Sequence, residues 1–594
     1  MMTKRMFLWL LAILSLGIFQ PVTALADESQ KLPSGIERSQ IGQKIQDFVK
    51  EHEKTTAGMT TAVFDKNGTI YHANFGYTDK EEGIKVDDKS VFEWGSVTKL
   101  TVWISVMQLW EEGKIDLETD IKTYLPKDFL KTLRYDKPIS MLDLMNHQAG
   151  FDETTFYMRS DKSIEEILKE QQPIQSFEPG TVTAYSNYGA GLAALIVERI
   201  SGQTFADYAH EHIFQPLGMD KTAILPDLSD NSYVQKKRQE TKGYDTKGNL
   251  LSKDHFITSI YPIGAATGTL KDLEKFAQAL LARKTLFERP ETWNTLYTAS
   301  STYPDTDIIR NAHGFWANEY GTTVLGHGGN TAGATSRIML DLEHGIGYVV
   351  MTNQGTEQNY NFQMPELVFG PRKTASKKTQ EQFSPGYYRT LRNFNQGPLA
   401  IFKMIPASAD YLQEPSDDQR LPNNFWTIYQ SQGKTRIAVA VADYEKVSDF
   451  DFFKDYVVLG FTGLAIIYAL GLLLISPLLG VYRLIFRKRQ DQPNRTWKVW
   501  NLLTAVGILA VPINLFLLFM SATSGDFSEI AQWRYMLFAA LGLLLTAAAL
   551  LPLFRKFREK LSKGRLFLTA MTSLSALAVA TNILYWSLYQ WWVF

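Results

Sequence analysis

Ser96 and Lys99 stand three residues apart at the head of a long apolar segment. A serine hydroxyl is a weak nucleophile at neutral pH and needs a base within hydrogen-bond reach. On a helix, a lysine three residues further on lies one turn away on the same face and meets that need. Further along come Tyr185-Ser186-Asn187 and His327-Gly328-Gly329. A hydroxyl, an amine, a phenol, an amide and an imidazole beside glycines make an acylable serine site. Ser-x-x-Lys alone is a common spacing, because both residues are abundant. The helix start adds weight, since its dipole and free backbone N–H groups favour developing negative charge. A serine there that merely caps the helix meets the same description.

The elements that must hold these groups can be read from hydrophobic patterning. Residues 96–112 are apolar on most faces and are followed by Gly113, which predicts a helix buried in a core and stopped by glycine. Residues 60–79 hold two alternating runs about Asp65-Lys66-Asn67-Gly68, and 336–353 hold two more about Glu343-His344-Gly345. Both patterns predict hairpins. They flank a long middle section with helical periodicity, so the soluble part is α+β.

The 594 residues carry 61 Lys and Arg against 62 Asp and Glu, with no cysteine. The length allows a large catalytic core and more besides. Disulfides, thiolate metal sites, a cysteine nucleophile and an N-terminal lipoprotein cysteine are excluded, and nothing in the charge pattern suggests nucleic acid. Residues 1–26 predict an export signal: Lys4 and Arg5, an apolar run over 6–19, and Ala24-Leu25-Ala26 before Asp27. An uncleaved anchor is the alternative.

Four apolar spans follow, at 456–482, 499–520, 535–554 and 566–585, each near the roughly 20 residues a crossing helix needs. The loop 483–498, with Arg487, Lys488, Arg489 and Arg495, and the basic loop 555–565 are expected in the cytoplasm. Asp526 and Glu529, and the C-terminal Trp591 and Trp592, then fall outside with the large N-terminal domain. The spans are nearly free of charge, which argues against a transporter.

Several motifs together resemble the serine β-lactamase-like family: class C β-lactamases with their penicillin-binding and esterase relatives. They are Phe92-Glu93-Trp94-Gly95-Ser96-Val97-Thr98-Lys99, Leu144-Met145-Asn146-His147-Gln148-Ala149-Gly150, Phe177-Glu178-Pro179-Gly180 through Tyr185-Ser186-Asn187, and Pro216-Leu217-Gly218-Met219. The resemblance covers 35–370 and implies the β-lactamase/transpeptidase-like fold, an antiparallel sheet flanked by helices plus an all-helical region. It implies Ser96 as nucleophile, with Lys99 and Tyr185 sharing the proton transfers. Asn187 would hold Lys99 and the substrate. His327-Gly328-Gly329 takes the place of the family's third motif, often Lys-Thr-Gly, with the backbone N–H of Asn330 and that of Ser96 as the oxyanion hole. The two glycines are expected to let substrate lie close to the strand. His327 offers no fixed cation to a β-lactam carboxylate and Gly328 no hydroxyl, which favours ester or peptide hydrolysis over antibiotic hydrolysis.

Other residues carry less. His210 and His212 are two apart, so on a helix they diverge, and no metal or other cofactor is expected. His147 reads as a structural turn residue, and no Gly-x-Ser-x-Gly elbow is present. Residues 371–450 read as a basic linker at 372–378 and a small β-rich segment, whose Gly386-Tyr387-Tyr388 opening resembles the accessory β domains of some family members. The expectation is a multi-pass membrane protein with an extracytoplasmic serine hydrolase domain acting on D-alanyl peptides or esters of the cell envelope. Its partners would be that substrate and the lipid bilayer. A β-lactamase, an acylable sensor and a non-catalytic binding protein are the rivals, and oligomeric state is not legible.

Overall fold

The computed structural model describes residues 30–131, 133–153, 162–252, 258–373, 382–393, 409–412, 425–486, 495–523, 529–559 and 561–591. The export-signal segment, Arg487, Lys488, Arg489, Asp526, Trp592 and most of the basic run 372–378 lie outside the described residues.

The two hairpins form as their patterns require. The Asp65 carboxylate accepts from the backbone N–H groups of Asn67 at 2.7 Å and Gly68 at 3.1 Å, turning the chain between strands Gly58–Asp65 and Gly68–Asp79. Strand Gly58–Asp65 also pairs antiparallel with Ile346–Thr352, the last strand of the second hairpin. Both ends of the domain therefore close into one nine-stranded sheet. Its order is Ile84–Lys85, Gly68–Asp79, Gly58–Asp65, Ile346–Thr352, Thr335–Asp341, Thr323–Asn330, Phe315–Glu319, Ile309–Ala312 and Ser301–Thr302.

Alternation divides this sheet between two cores. Val63, Met339 and Val350 face helix Ile41–His52, through Ile41, Ile45 and Val49, and the short helix Glu366–Phe369. Ala62, Phe64, Ile338, Val349 and Met351 face the larger core with Trp94, Trp103 and Leu100. Helix Lys99–Glu111 runs through that core, with every residue from Lys99 to Met107 buried. It packs on helix Asn187–Ser201, which ends at Gly202 in the left-handed region, φ 75°.

The serine does not open the α-helix, contrary to expectation. Gly95–Thr98 is a 3₁₀ turn and the α-helix starts at Lys99. Thr98 Oγ1 donates to the Gly95 carbonyl at 2.6 Å and draws this turn tight. No side chain caps either element, so the capping explanation of Ser96 has no hydrogen bond behind it.

The β-rich segment is a five-stranded sheet in the order Ala409–Leu412, Gly386–Thr390, Asp443–Val447, Lys434–Val439 and Trp426–Ser431. Tyr388, Trp426 and Ile437 are in its core. Ser448 then accepts from the Asp451 N–H and caps helix Asp449–Ile485. Helices Arg495–Thr523, Glu529–Leu550 and Lys563–Tyr585 follow. All four are long and apolar enough to cross a membrane. They meet through small residues such as Ala465, Ala469, Ala505, Ala576 and Ala580, while Leu464, Ile467, Phe516 and Leu543 point outward.

Candidate active site

Lys99 Nζ lies 3.0 Å from Ser96 Oγ and donates to the Ile263 carbonyl at 2.7 Å. The turn-and-helix geometry supplies the first contact, and packing of the 3₁₀ turn Tyr261–Ile263 against helix Lys99–Glu111 the second. Lys99 is fully buried, and burial pushes its ammonium from 10.5 down to about 7, with Glu153 opposing and Arg392 adding to the shift. An amine poised near neutral pH beside a hydroxyl is able to accept its proton.

Tyr185 stands ahead of helix Asn187–Ser201, with its ring centroid 5.1 Å from Lys99 Nζ. His147 stacks on it at 4.3 Å and on Trp316 at 5.4 Å. The His147 backbone is left-handed, φ 55°, and its Nδ1 accepts from the Ser186 N–H at 3.0 Å. Burial lowers its basicity well below the usual range, so it is a neutral spacer that fixes the Tyr185 ring. Asn187 does not reach Lys99 as expected. Its amide donates to Glu153 Oε1 at 3.3 Å, and Glu153 is one of the charges that act on the lysine.

Strand Thr323–Asn330 brings His327, Gly328, Gly329 and Asn330 beside the serine turn. Burial, then the charge of Lys99, lowers the His327 imidazole to about 3, so the ring is neutral. Its Nδ1–H donates to the Gly328 carbonyl at 2.6 Å, which leaves Nε2 as an acceptor. Asn330 N lies 2.7 Å from where a Cβ on Gly95 would stand, and Gly95 has φ 50°. The close approach brings the Asn330 N–H against the backbone just ahead of Ser96.

The glycines also have a packing role. A Cβ on Gly329 would fall 1.9 Å from the Trp94 carbonyl, so this residue lets the strand close on the serine turn. Gly328 sits opposite Arg337 on the neighbouring strand, and a Cβ there would lie 3.2 Å from Arg337 Nη2. The guanidinium crosses that space and rests 3.9 Å from the Phe362 ring centroid. It is buried, and it stays a cation at neutral pH. The site therefore holds a fixed cation after all. It comes from the next strand and not from the third motif.

Ser96, Tyr185, Asn187, His327, Gly328, Gly329 and Asn330 all line one cavity of about 550 Å³, whose lining also includes Arg337, Arg392 and residues 439–442 of the β-rich segment. The family model described as Beta-lactamase matches residues 41–369, more than half of the chain. The chain belongs to the β-lactamase family.

As a β-lactamase-family member it is a serine hydrolase by type. It is 24% identical to penicillin-binding protein 4 of Amycolatopsis lactamdurans over 56% of this chain and 90% of that protein. It is 26% identical to the teichoic acid D-alanine hydrolase of Staphylococcus aureus over 43% of this chain and 62% of that one. Among solved structures, the octameric penicillin-binding protein homologue of Pyrococcus abyssi aligns at TM-score 0.48 and 18% identity, over 69% of this chain and all of that one.

In this β-lactamase-family chain, sequence reasoning missed Glu153, Arg337 and Arg392. Glu153 and Arg392 are 239 residues apart, and no local pattern joins them. Arg337 had a readable signal: an arginine directly ahead of the apolar run Ile338-Met339-Leu340, within the strand Thr335–Asp341. The two histidines weighed as a metal pair make ordinary contacts. His210 Nε2 lies 2.8 Å from Asp230, and His212 stacks on Tyr208.

Proposed function

We propose that this chain is a membrane-anchored serine hydrolase with its catalytic domain outside the cytoplasm, acting through an acyl-Ser96 intermediate on D-alanyl peptides or D-alanyl esters of the cell envelope. The observation that carries the reading is the 3.0 Å contact between Ser96 Oγ and a buried Lys99. Neutral Lys99 takes the hydroxyl proton, with the Tyr185 phenol beside it as relay, while Oγ attacks the substrate carbonyl. The N–H groups of Ser96 and Asn330 receive the oxyanion. Collapse expels the amine or alcohol, which takes the proton back from Lys99 or Tyr185. Water then attacks the ester by the reverse route and frees Ser96.

The substrate class is supported by the named relatives, by the neutral His327 acceptor that could face a substrate donor, and by the four helices apolar enough to anchor the chain in a membrane, where an envelope polymer would be at hand. The basic loops 483–498 and 555–565 support the outward orientation. Arg337 favours a second reading, acylation by β-lactams, since it supplies the carboxylate anchor that the third motif lacks.

The test is release of D-alanine by the full chain in detergent micelles, from a D-alanyl-D-alanine peptide and from a D-alanyl ester of a polyol phosphate, with Ser96→Ala alongside. Release that needs Ser96 is expected from one of the two. Equal release by Ser96→Ala would overturn the reading.

A further inference from the structure

The β-rich segment is built into the wall of the catalytic cavity. Ala442 bridges antiparallel to Ala184, and the Val441 carbonyl accepts from the Tyr185 N–H at 3.0 Å. The Asp443 N–H donates to the Thr183 carbonyl at 2.8 Å, and its carboxylate accepts from the Thr183 N–H at 3.0 Å. The same carboxylate meets Arg310 at 2.8 Å, both side chains being 2% exposed. The strand of chain leading into Tyr185 is thus held by the module on its outer edge.

From the same module, Arg392 reaches further in. Its Nε and Nη2 donate to Glu153 Oε2 at 2.8 and 2.5 Å, and its guanidinium carbon lies 4.7 Å from the Tyr185 ring centroid. The next residue, Asn393, accepts from the Glu153 N–H at 3.1 Å. Glu153 is therefore gripped at side chain and backbone, and its second oxygen takes the Asn187 amide. The module is fixed in turn to the first apolar helix, where Arg389 pairs with Asp455 at 3.1 Å and Tyr387 stacks on Phe452 at 3.6 Å.

We propose that Arg392 is a positioning residue of the acyl-transfer site, acting through Glu153 to hold Asn187 and to set the electrostatic field at Lys99, so that the β-rich module is a working part of the site. This rests on the assignment of Lys99 as the base. The charges acting on Lys99 are Glu153 and Arg392, of opposite sign. The rings around it, His147 and His327, are held neutral, and Tyr185 presents its face. An added strand alone would give the module a structural role. An ion pair whose two members push Lys99 in opposite directions gives it a functional one, with a signature that packing cannot imitate.

The experiment is a pH titration of the full chain in micelles, labelled with ¹³Cε-lysine, the Lys99 signal being identified by its loss in Lys99→Arg. Arg392→Gln should move the Lys99 midpoint up and Glu153→Gln should move it down, each on the order of one pH unit. The double variant should return near the starting value, and Arg392→Lys should stay close to it. Hydrolysis of p-nitrophenyl acetate, with Ser96→Ala as blank, should show its alkaline-going limb moving with the same signs. Shifts of the same sign, or none, in variants that melt cooperatively would overturn the proposal. Should Arg392→Gln fail to fold, Arg392→Met, which removes the charge and keeps an apolar stem, takes its place and should likewise move the midpoint up. Opposite Lys99 shifts without Ser96-dependent turnover would uphold the role of Arg392 and overturn the hydrolase reading.

Discussion

Gly329 lies so close against Trp94 that a Cβ would fall 1.9 Å from the tryptophan carbonyl oxygen. The strand bearing the third motif closes on the serine turn at this point, and Ser336 Oγ donates to the same oxygen at 2.5 Å. The approach of this strand to the turn that carries Ser96 therefore depends on the absence of a single methyl group.

Gly329→Ala should consequently force strand and turn apart. The expected cost is about 1 to 3 kcal/mol of stability, as for other overpacked cores, with loss of acylation well beyond that of Gly328→Ala. At Gly328 the near atom is the end of the flexible Arg337 side chain, 3.2 Å away, which can give. Thermal melts and acylation rates of the two variants check the contrast; equal effects would count against it.

With Lys99 as the proposed base, its depressed basicity should make acylation rise with pH through about 7, because only the uncharged amine can accept the Ser96 proton. Stability should follow the same direction. Between about 7 and the unfolded value of 10.5 the unfolded chain holds a proton that the folded chain lacks, so this group's contribution grows as pH rises across that window. Lys99→Met should flatten both slopes, and should cut turnover by roughly 10² to 10⁴. Stopped-flow acylation and chemical denaturation at several pH values measure them.

Arg337→Met should discriminate between substrates. A buried charge-assisted contact is worth roughly 1.5 to 3 kcal/mol, so KM for a carboxylate-bearing peptide or the acylation constant for a penicillin should worsen about 10- to 100-fold. A small neutral ester should be hydrolysed with much less change. A uniform loss on both would show that Arg337 holds up the site and does not read the substrate.

Asp443→Ala should loosen the module from the catalytic domain. It removes one partner of a buried ion pair and leaves the Arg310 guanidinium uncompensated, at a cost of roughly 3 to 5 kcal/mol. Limited proteolysis within 382–447 should quicken, and turnover should fall, because the Thr183–Tyr185 edge loses its support. Unchanged proteolysis would remove the basis for treating the two as joined.

What the residues alone determined about this protein is what depends on short separations. Ser96 and Lys99 are three apart, so one helical turn brings them together whatever surrounds them. Asp65 to Gly68 and Glu343 to Gly345 turn hairpins by local hydrogen bonds, and the four apolar runs follow from length and composition. Only the tertiary structure decided who meets Lys99 from afar: the Ile263 carbonyl, Glu153 and Arg392. It also decided that Gly328 makes room for Arg337, which depends on the register of two strands. Such encounters are fixed by packing and pairing over tens to hundreds of residues, and no period of 2 or 3.6 records them.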